Sequence, residues 1–154
     1  MLDGGKNMRF STRTRYGLRF LLRLAVQPAG TLTQLRQIAE KENISCGYLE
    51  QMIHALKPLG ILRAVRGMGG GYALAKPPAE IPLEPVFECL EGDLAPVACV
   101  AGGRNCQREC LCSTREFWHE MDVYIRGFLK NKTLQTLLDA NQSRLKGDNT
   151  HVGL

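Results

Sequence analysis

The chain has no apolar run approaching the roughly 18 residues that a membrane span requires, which argues against a membrane protein. The opening residues, Met1-Leu-Asp-Gly-Gly-Lys-Asn7, lack the apolar core of an export signal. They read as a disordered leader, and a cytoplasmic location is expected. Histidine is scarce: His54, His119 and His151 are scattered, with no Ser/His/Asp arrangement and no metal–His pairing. A catalytic thiol would need a base nearby, and no histidine adjoins a cysteine in the sequence to serve as one. Enzymatic function is not expected. The glycine run Gly67-Met-Gly-Gly-Gly71 lacks the Gly-Lys-Ser/Thr ending of a phosphate loop and no helix closely follows it.

Acidic residues are missing from one half in particular. Residues 1–78 carry 12 Lys/Arg against 4 Asp/Glu, whereas residues 79–154 carry 8 against 11. A basic front half and a mildly acidic rear half suggest that the front alone meets a polyanion.

The front half reads as three helices and a hairpin. Tyr16, Phe20 and Leu24 recur every four residues in a helix over 11–26, with Arg15, Arg19 and Arg23 on a neighbouring stripe able to meet phosphates or acidic neighbours. Gln27-Pro-Ala-Gly30 ends it. Thr33 is a candidate cap for a second helix over 34–42, and Ser45 for a third over 46–57. In the third, Leu49, Met52, Ile53 and Leu56 face inward, while Gly47, Glu50, Gln51 and His54 share the opposite face. Two short helices and a tight turn make a helix-turn-helix pattern, whose polar face can read base edges or be only a wet surface. Ile61–Arg66 and Tyr72–Ala75 then read as strands around the glycine run, a hairpin placed as a wing. Arg66 stands at its edge, where an arginine can enter a narrow minor groove.

In the rear half, Leu83–Leu90 reads as a short helix, with Cys89 a packed residue rather than a ligand. A long helix is expected over 114–130. Phe117, Met121, Tyr124, Ile125 and Phe128 form its apolar stripe, a natural dimer seam unless it packs on its own domain. Leu134, Leu137 and Leu138 suggest one more short helix, and the polar residues from Gln142 onward suggest a disordered tail. Four of the six cysteines lie in Cys99-Val-Ala-Gly-Gly-Arg-Asn-Cys-Gln-Arg-Glu-Cys-Leu-Cys112. In a reducing compartment such a cluster favours metal binding or thiol sensing over structural disulfides.

Four strings carry a resemblance: Met8-Arg-Phe-Ser-Thr-Arg-Thr-Arg-Tyr-Gly17, Ile44-Ser-Cys-Gly-Tyr-Leu-Glu-Gln51, Val65-Arg-Gly-Met-Gly-Gly-Gly-Tyr72 and Cys112-Ser-Thr-Arg-Glu-Phe-Trp118. Over roughly residues 8–140 the chain resembles the winged-helix transcription regulators that include IscR, the nitric-oxide-responsive NsrR and the cysteine-metabolism repressor CymR. The resemblance implies a mainly α fold with a β-hairpin wing, a homodimer joined through the long helix, and binding of a roughly palindromic promoter site on double-stranded DNA. It assigns DNA contacts to Ser45, Gly47, Tyr48, Glu50, Gln51, His54, Arg66, Gly69 and Gly70.

Members with a three-cysteine loop hold an iron–sulfur cluster, and the resemblance implies Cys99, Cys106 and Cys112 as ligands here. Relatives complete the site with a His three residues after the last cysteine or an Asp in the first helix. In this sequence those positions are Arg115 and Arg15, and a protonated guanidinium does not ligate. Cys110 is the first candidate for the fourth position, with His119, Glu109 or an exogenous molecule as alternatives. A 2Fe–2S cluster is favoured over 4Fe–4S. The competing readings are a zinc site, metal-free thiol sensing, and a small electron carrier or scaffold. Only Cys106-x3-Cys110 has the spacing of a zinc knuckle. The implied layout is a leader over 1–7, a DNA-binding domain over 8–78 and a linking helix over 79–98. A cluster loop over 99–112, a dimerisation region over 113–141 and a tail over 142–154 complete it.

Overall fold

A computed structural model of the protein describes residues 10–101 and 111–148, with side chains described up to residue 144. The elements follow the order α1 (Thr12–Ala25), α2 (Leu35–Glu42), α3 (Cys46–Leu56), β1 (Leu62–Val65), β2 (Gly71–Leu74), α4 (Leu83–Glu91), α5 (Arg115–Lys130) and α6 (Leu134–Asp148). The mainly helical, winged architecture expected from the sequence is the one observed. No helix among the described residues is long and apolar enough to cross a membrane.

The core forms where the apolar stripes of α1, α3 and α4 meet. Phe20, Leu21, Ile38, Leu49, Met52, Leu56, Ile81, Val86 and Leu134 are all almost wholly buried in it. The four-residue recurrence on α1 and the i, i+3, i+4, i+7 set on α3 therefore both point inward. A smaller apolar cluster of Leu83, Phe87, Leu94 and Leu129 joins α4 to α5.

The turn between α2 and α3 is closed by Asn43, which takes a left-handed conformation at φ 53° and donates its backbone N–H back into α2. A short polar residue tolerates that conformation better than most. Ser45 then caps α3 as expected, its hydroxyl accepting the Tyr48 N–H at 3.1 Å.

Thr33 is not the cap of α2. Gln34 takes the cap position without a side-chain hydrogen bond. Thr33 is drawn into the wing instead: its N–H donates to Tyr72 O at 2.8 Å and its carbonyl accepts from Tyr72 N at 2.9 Å. Both of its backbone groups are satisfied in an extended pairing, and sheet geometry prevails over capping. Two arginines of the α1 stripe turn toward an acidic neighbour. Arg23 Nε donates to Glu42 Oε1 at 2.6 Å and Arg19 lies 3.7 Å from the same carboxylate. Finally, α6 is not the short helix expected: it runs to Asp148, through residues where composition suggested a tail.

Candidate nucleic-acid interface and cysteine loop

The outer face of α3 is built as a surface. Gly47, Glu50, Gln51 and His54 are exposed, as is Ser45 at its start. Gly47 has nothing within 4 Å of where a Cβ would stand. Tyr48 differs: it is half-buried, and its ring meets Tyr16 edge-on with centroids 6.2 Å apart. Tyr16 in turn lies under the Arg19 guanidinium, 5.3 Å from its ring centroid. Tyr48 thus braces α3 against α1, while Gly47, Glu50, Gln51 and His54 face outward.

The wing pairs Leu62 with Leu74 through Val65 with Gly71 in antiparallel register. Its tip is closed by a Gly70 N–H to Gly67 O bond of 3.0 Å, with Gly67 and Gly69 at φ 95° and 77°. Those angles lie in a region that L side chains rarely enter. A Cβ on Gly70 would stand 2.2 Å from Val65 O, and one on Gly71 would stand 2.5 Å from Thr33 O. The glycine run is therefore a steric requirement of the turn. It leaves Arg66 exposed beside a slim backbone. Arg63, which the sequence reading did not single out, ties the wing base to the turn after α1 through a 2.9 Å bond to Gly30 O.

The cysteine loop begins and ends within the described residues. Cys99 and Cys112 are half-exposed free thiols, whereas Cys106 and Cys110, with Glu109, lie outside the described residues. The Cys112 Sγ is 3.4 Å from the Thr114 hydroxyl. Hydrogen bonds from the Thr114 hydroxyl and backbone lower its thiol pKa, with smaller help from Arg115 against a small desolvation effect. The shift is in the direction of the thiolate, the form that ligates metal or attacks an oxidant. Cys89 behaves oppositely: burial, and then Glu88, push its thiol up, as suits a packed residue. Cys46 is exposed at the start of α3. Among the described residues no three His, Cys, Asp or Glu side chains converge as a metal site. Arg15 and His119 are exposed on α1 and α5.

Immediately after the loop, α5 presents its stripe. Phe117, Tyr124 and Phe128 are 55, 77 and 64% exposed, Met121 and Ile125 are half-buried, and only Leu129 of this helix is buried. Tyr124, Ile125 and Phe128 line an open apolar cleft of about 330 Å³ together with Phe10, Phe87 and Leu129. Two residues that sequence reasoning missed fix the neighbouring elements. Glu91 of α4 accepts from the Ser11 backbone at 2.9 and 3.1 Å, from the Ser11 hydroxyl at 2.9 Å, and from the Thr14 hydroxyl. Arg126 of α5 bonds Asp122, Glu88 and Asp93. The Asp122–Arg126 spacing of four was readable as a helix pair; the long-range partners left no sequence signal.

Comparison with known proteins identifies this arrangement. Residues 10–140 match the family model Rrf2, described as iron-dependent transcriptional regulator. The chain is 32% identical over 146 residues to the HTH-type transcriptional regulator IscR of Photobacterium profundum, covering 94% of this chain and 84% of that protein. The solved structure of CymR, the global cysteine regulator of B. subtilis, superposes with a TM-score of 0.71 at 30% identity, covering 87% of this chain and 98% of that one. T. potens IscR gives a TM-score of 0.69 at 28% identity, covering 90% and 91%. These relatives are regulators rather than enzymes. With its family model spanning nearly the whole described chain and its helix-turn-helix and wing in place, the protein belongs to the Rrf2 family of transcriptional regulators.

Proposed function

We propose that the protein is a homodimeric regulator that binds a roughly palindromic promoter site, with its affinity set by the state of the cysteine loop. The observation that carries this reading is the α5 stripe: Phe117, Tyr124 and Phe128 stand exposed directly after Cys112. Three large apolar side chains on one helix face, adjoining a thiol-rich loop, suit a seam with a second copy. A seam there would join the two loops and fix the distance between the two α3 helices, hence the half-site spacing.

Each protomer would offer Ser45, Gly47, Glu50, Gln51 and His54 to a major groove, and Arg66, with the thin backbone of Gly69 and Gly70, to the adjoining minor groove. Tyr48 would contribute by bracing α3. Cys99, Cys106 and Cys112 would hold an iron–sulfur cluster, with Cys110 the first candidate to complete it. The two described loop thiols fit that role. Both are free and half-exposed, and Cys112 is biased toward thiolate. The group would supply reversible reactivity toward oxidants, nitric oxide or iron loss. The chain's own part is to order the loop against α5 and pass that order to the DNA-binding helices. The second reading, a metal-free thiol sensor, is favoured by the same lowered Cys112 pKa.

Anaerobic purification followed by visible absorption separates these readings. The expected result is a coloured protein whose iron and sulfide are lost in Cys106→Ser, with operator affinity then fixed at one value. Glu50→Ala and Arg66→Ala should keep the colour and lose operator discrimination. A colourless preparation with stoichiometric zinc would sink the cluster, and unchanged DNA binding by Cys106→Ser at every site would sink loop sensing.

A further inference from the structure

Arg126 lies three turns into α5, and its guanidinium meets carboxylates from three places. Nε donates to both oxygens of Asp122 on its own helix, at 3.1 and 3.0 Å. Nη1 donates to Glu88 on α4 at 2.8 Å. Nη2 donates to Asp93 at 3.3 Å, one residue beyond the Gly92 that ends α4. The four-residue pair with Asp122 fixes the side chain's direction, so the other two nitrogens are aimed before they find partners. We infer that Arg126 is a positioning residue that couples the cysteine loop to the DNA-binding helices, by holding α5, α4 and the start of the loop segment together at one guanidinium.

Three features give this contact its leverage. First, Asp93 is itself fixed. Its Oδ1 also accepts the Ala95 N–H at 3.0 Å, and Leu94 is buried beside Leu129 of α5. Cys99 follows five residues later. Second, the other end of the loop also attaches to α5, because Cys112 lies three residues before its first residue, Arg115. Arg115 and Arg126 are 11 residues apart, about 16 Å along the axis. The loop is thus tethered to one helix at two separated points, and the lower one is shared with α4. Third, α4 packs on both α1 and α3. A change in the loop's order that draws Asp93 away would therefore alter how α4 sits against α5 and α3. Withdrawing Asp93 would leave Nη2 without that partner and the ion-pair hold of Arg126 on α4 resting on Glu88 alone. Lysine would keep the charge but not the planar, three-way fork.

This inference rests on the reading that loop state governs DNA binding, and its test separates the two. The full-length chain is compared with Arg126→Lys and Asp93→Asn, using an operator selected from random duplexes. Two quantities are read: operator affinity of the cluster-loaded and apo forms, and backbone hydrogen exchange of residues 92–101 with and without operator. Coupling is reciprocal, so DNA must alter exchange in the segment if the segment alters DNA binding. In the parent chain, operator is expected to slow exchange across residues 92–98, and the two forms should differ in affinity about tenfold or more. Both variants should still bind operator, but with the exchange response lost and the affinity difference cut to about twofold or less. Variants that keep the exchange response and the affinity difference would overturn the coupling. So would a parent chain whose exchange ignores operator. A parent chain with equal affinities in both forms, but an exchange response that the variants abolish, would retain the coupling and refute the loop-state reading.

Discussion

At Glu91 the surroundings oppose one another. Burial alone would raise its carboxyl pKa, but the Thr14 hydroxyl, the Ser11 N–H and the Ser11 hydroxyl together hold it below the ordinary value. The acceptor is worth keeping because Thr14 is only 1% exposed, and without Glu91 its hydroxyl and the Ser11 N–H at the start of α1 lose their partner. A folded-state pKa below the unfolded one stabilises the protein at neutral pH, and that contribution is lost as pH falls through the folded value. Glu91→Gln should therefore cost about 1 to 2 kcal/mol at pH 7. The gap between variant and parent in chemical unfolding should narrow progressively below about pH 4.5. A gap that stays constant from pH 7 to pH 3.5 would mean the carboxylate's charge contributes nothing. Nothing in the sequence announced this residue, because its partners lie 77 and 80 positions away.

Among the elements, the helices of the front half were legible because each carries its own period and its own stop. The apolar residues of α3 recur at helical spacing, Ser45 caps its start, and Pro58 with Gly60 ends it. The wing was legible from a glycine run between two short apolar strands. What local reading could not supply was pairing across distance: Thr33 joined to Tyr72, Arg23 to Glu42, Arg126 to Asp93. The extent of α6 also escaped, because its last turns carry few of the apolar residues that mark a helix. The exposed polar face of α3 followed from that helix alone, while the cysteine loop proposed to govern DNA binding follows no repeating period. The wing tests how tightly an element's geometry constrains it. Gly70→Ala places a methyl 2.2 Å from a backbone oxygen, so the turn must open and carry Arg66 with it. Operator affinity is expected to fall about tenfold or more, whereas the thermal midpoint should move by only a few degrees, since the tip lies outside the core. An Ala variant that binds as tightly as the parent would remove the wing from the interface.

Across the whole molecule, charge is divided along the chain. The front 78 residues carry a surplus of eight positive charges and the rest a deficit of three. Of the 12 Lys/Arg in that front half, three are engaged inside the protein, since Arg19 and Arg23 share Glu42 and Arg36 pairs with Glu40. The cations left for DNA are thus fewer than the count suggests, and Arg66 on the wing is prominent among them. Phosphate or groove contacts made by cations release bound counterions, so the slope of log affinity against log salt reports how many are used. For a dimer with about three such contacts per protomer, that slope should lie near −5. Removing Arg66 from both protomers should make it shallower by about 2. Arg144, exposed on α6 in the acidic half, should leave the slope unchanged when replaced by alanine. The comparison is made by titrating operator at several salt concentrations with each variant. If Arg144→Ala flattened the slope as much as Arg66→Ala, the division of charge along the chain would have no bearing on which face meets DNA.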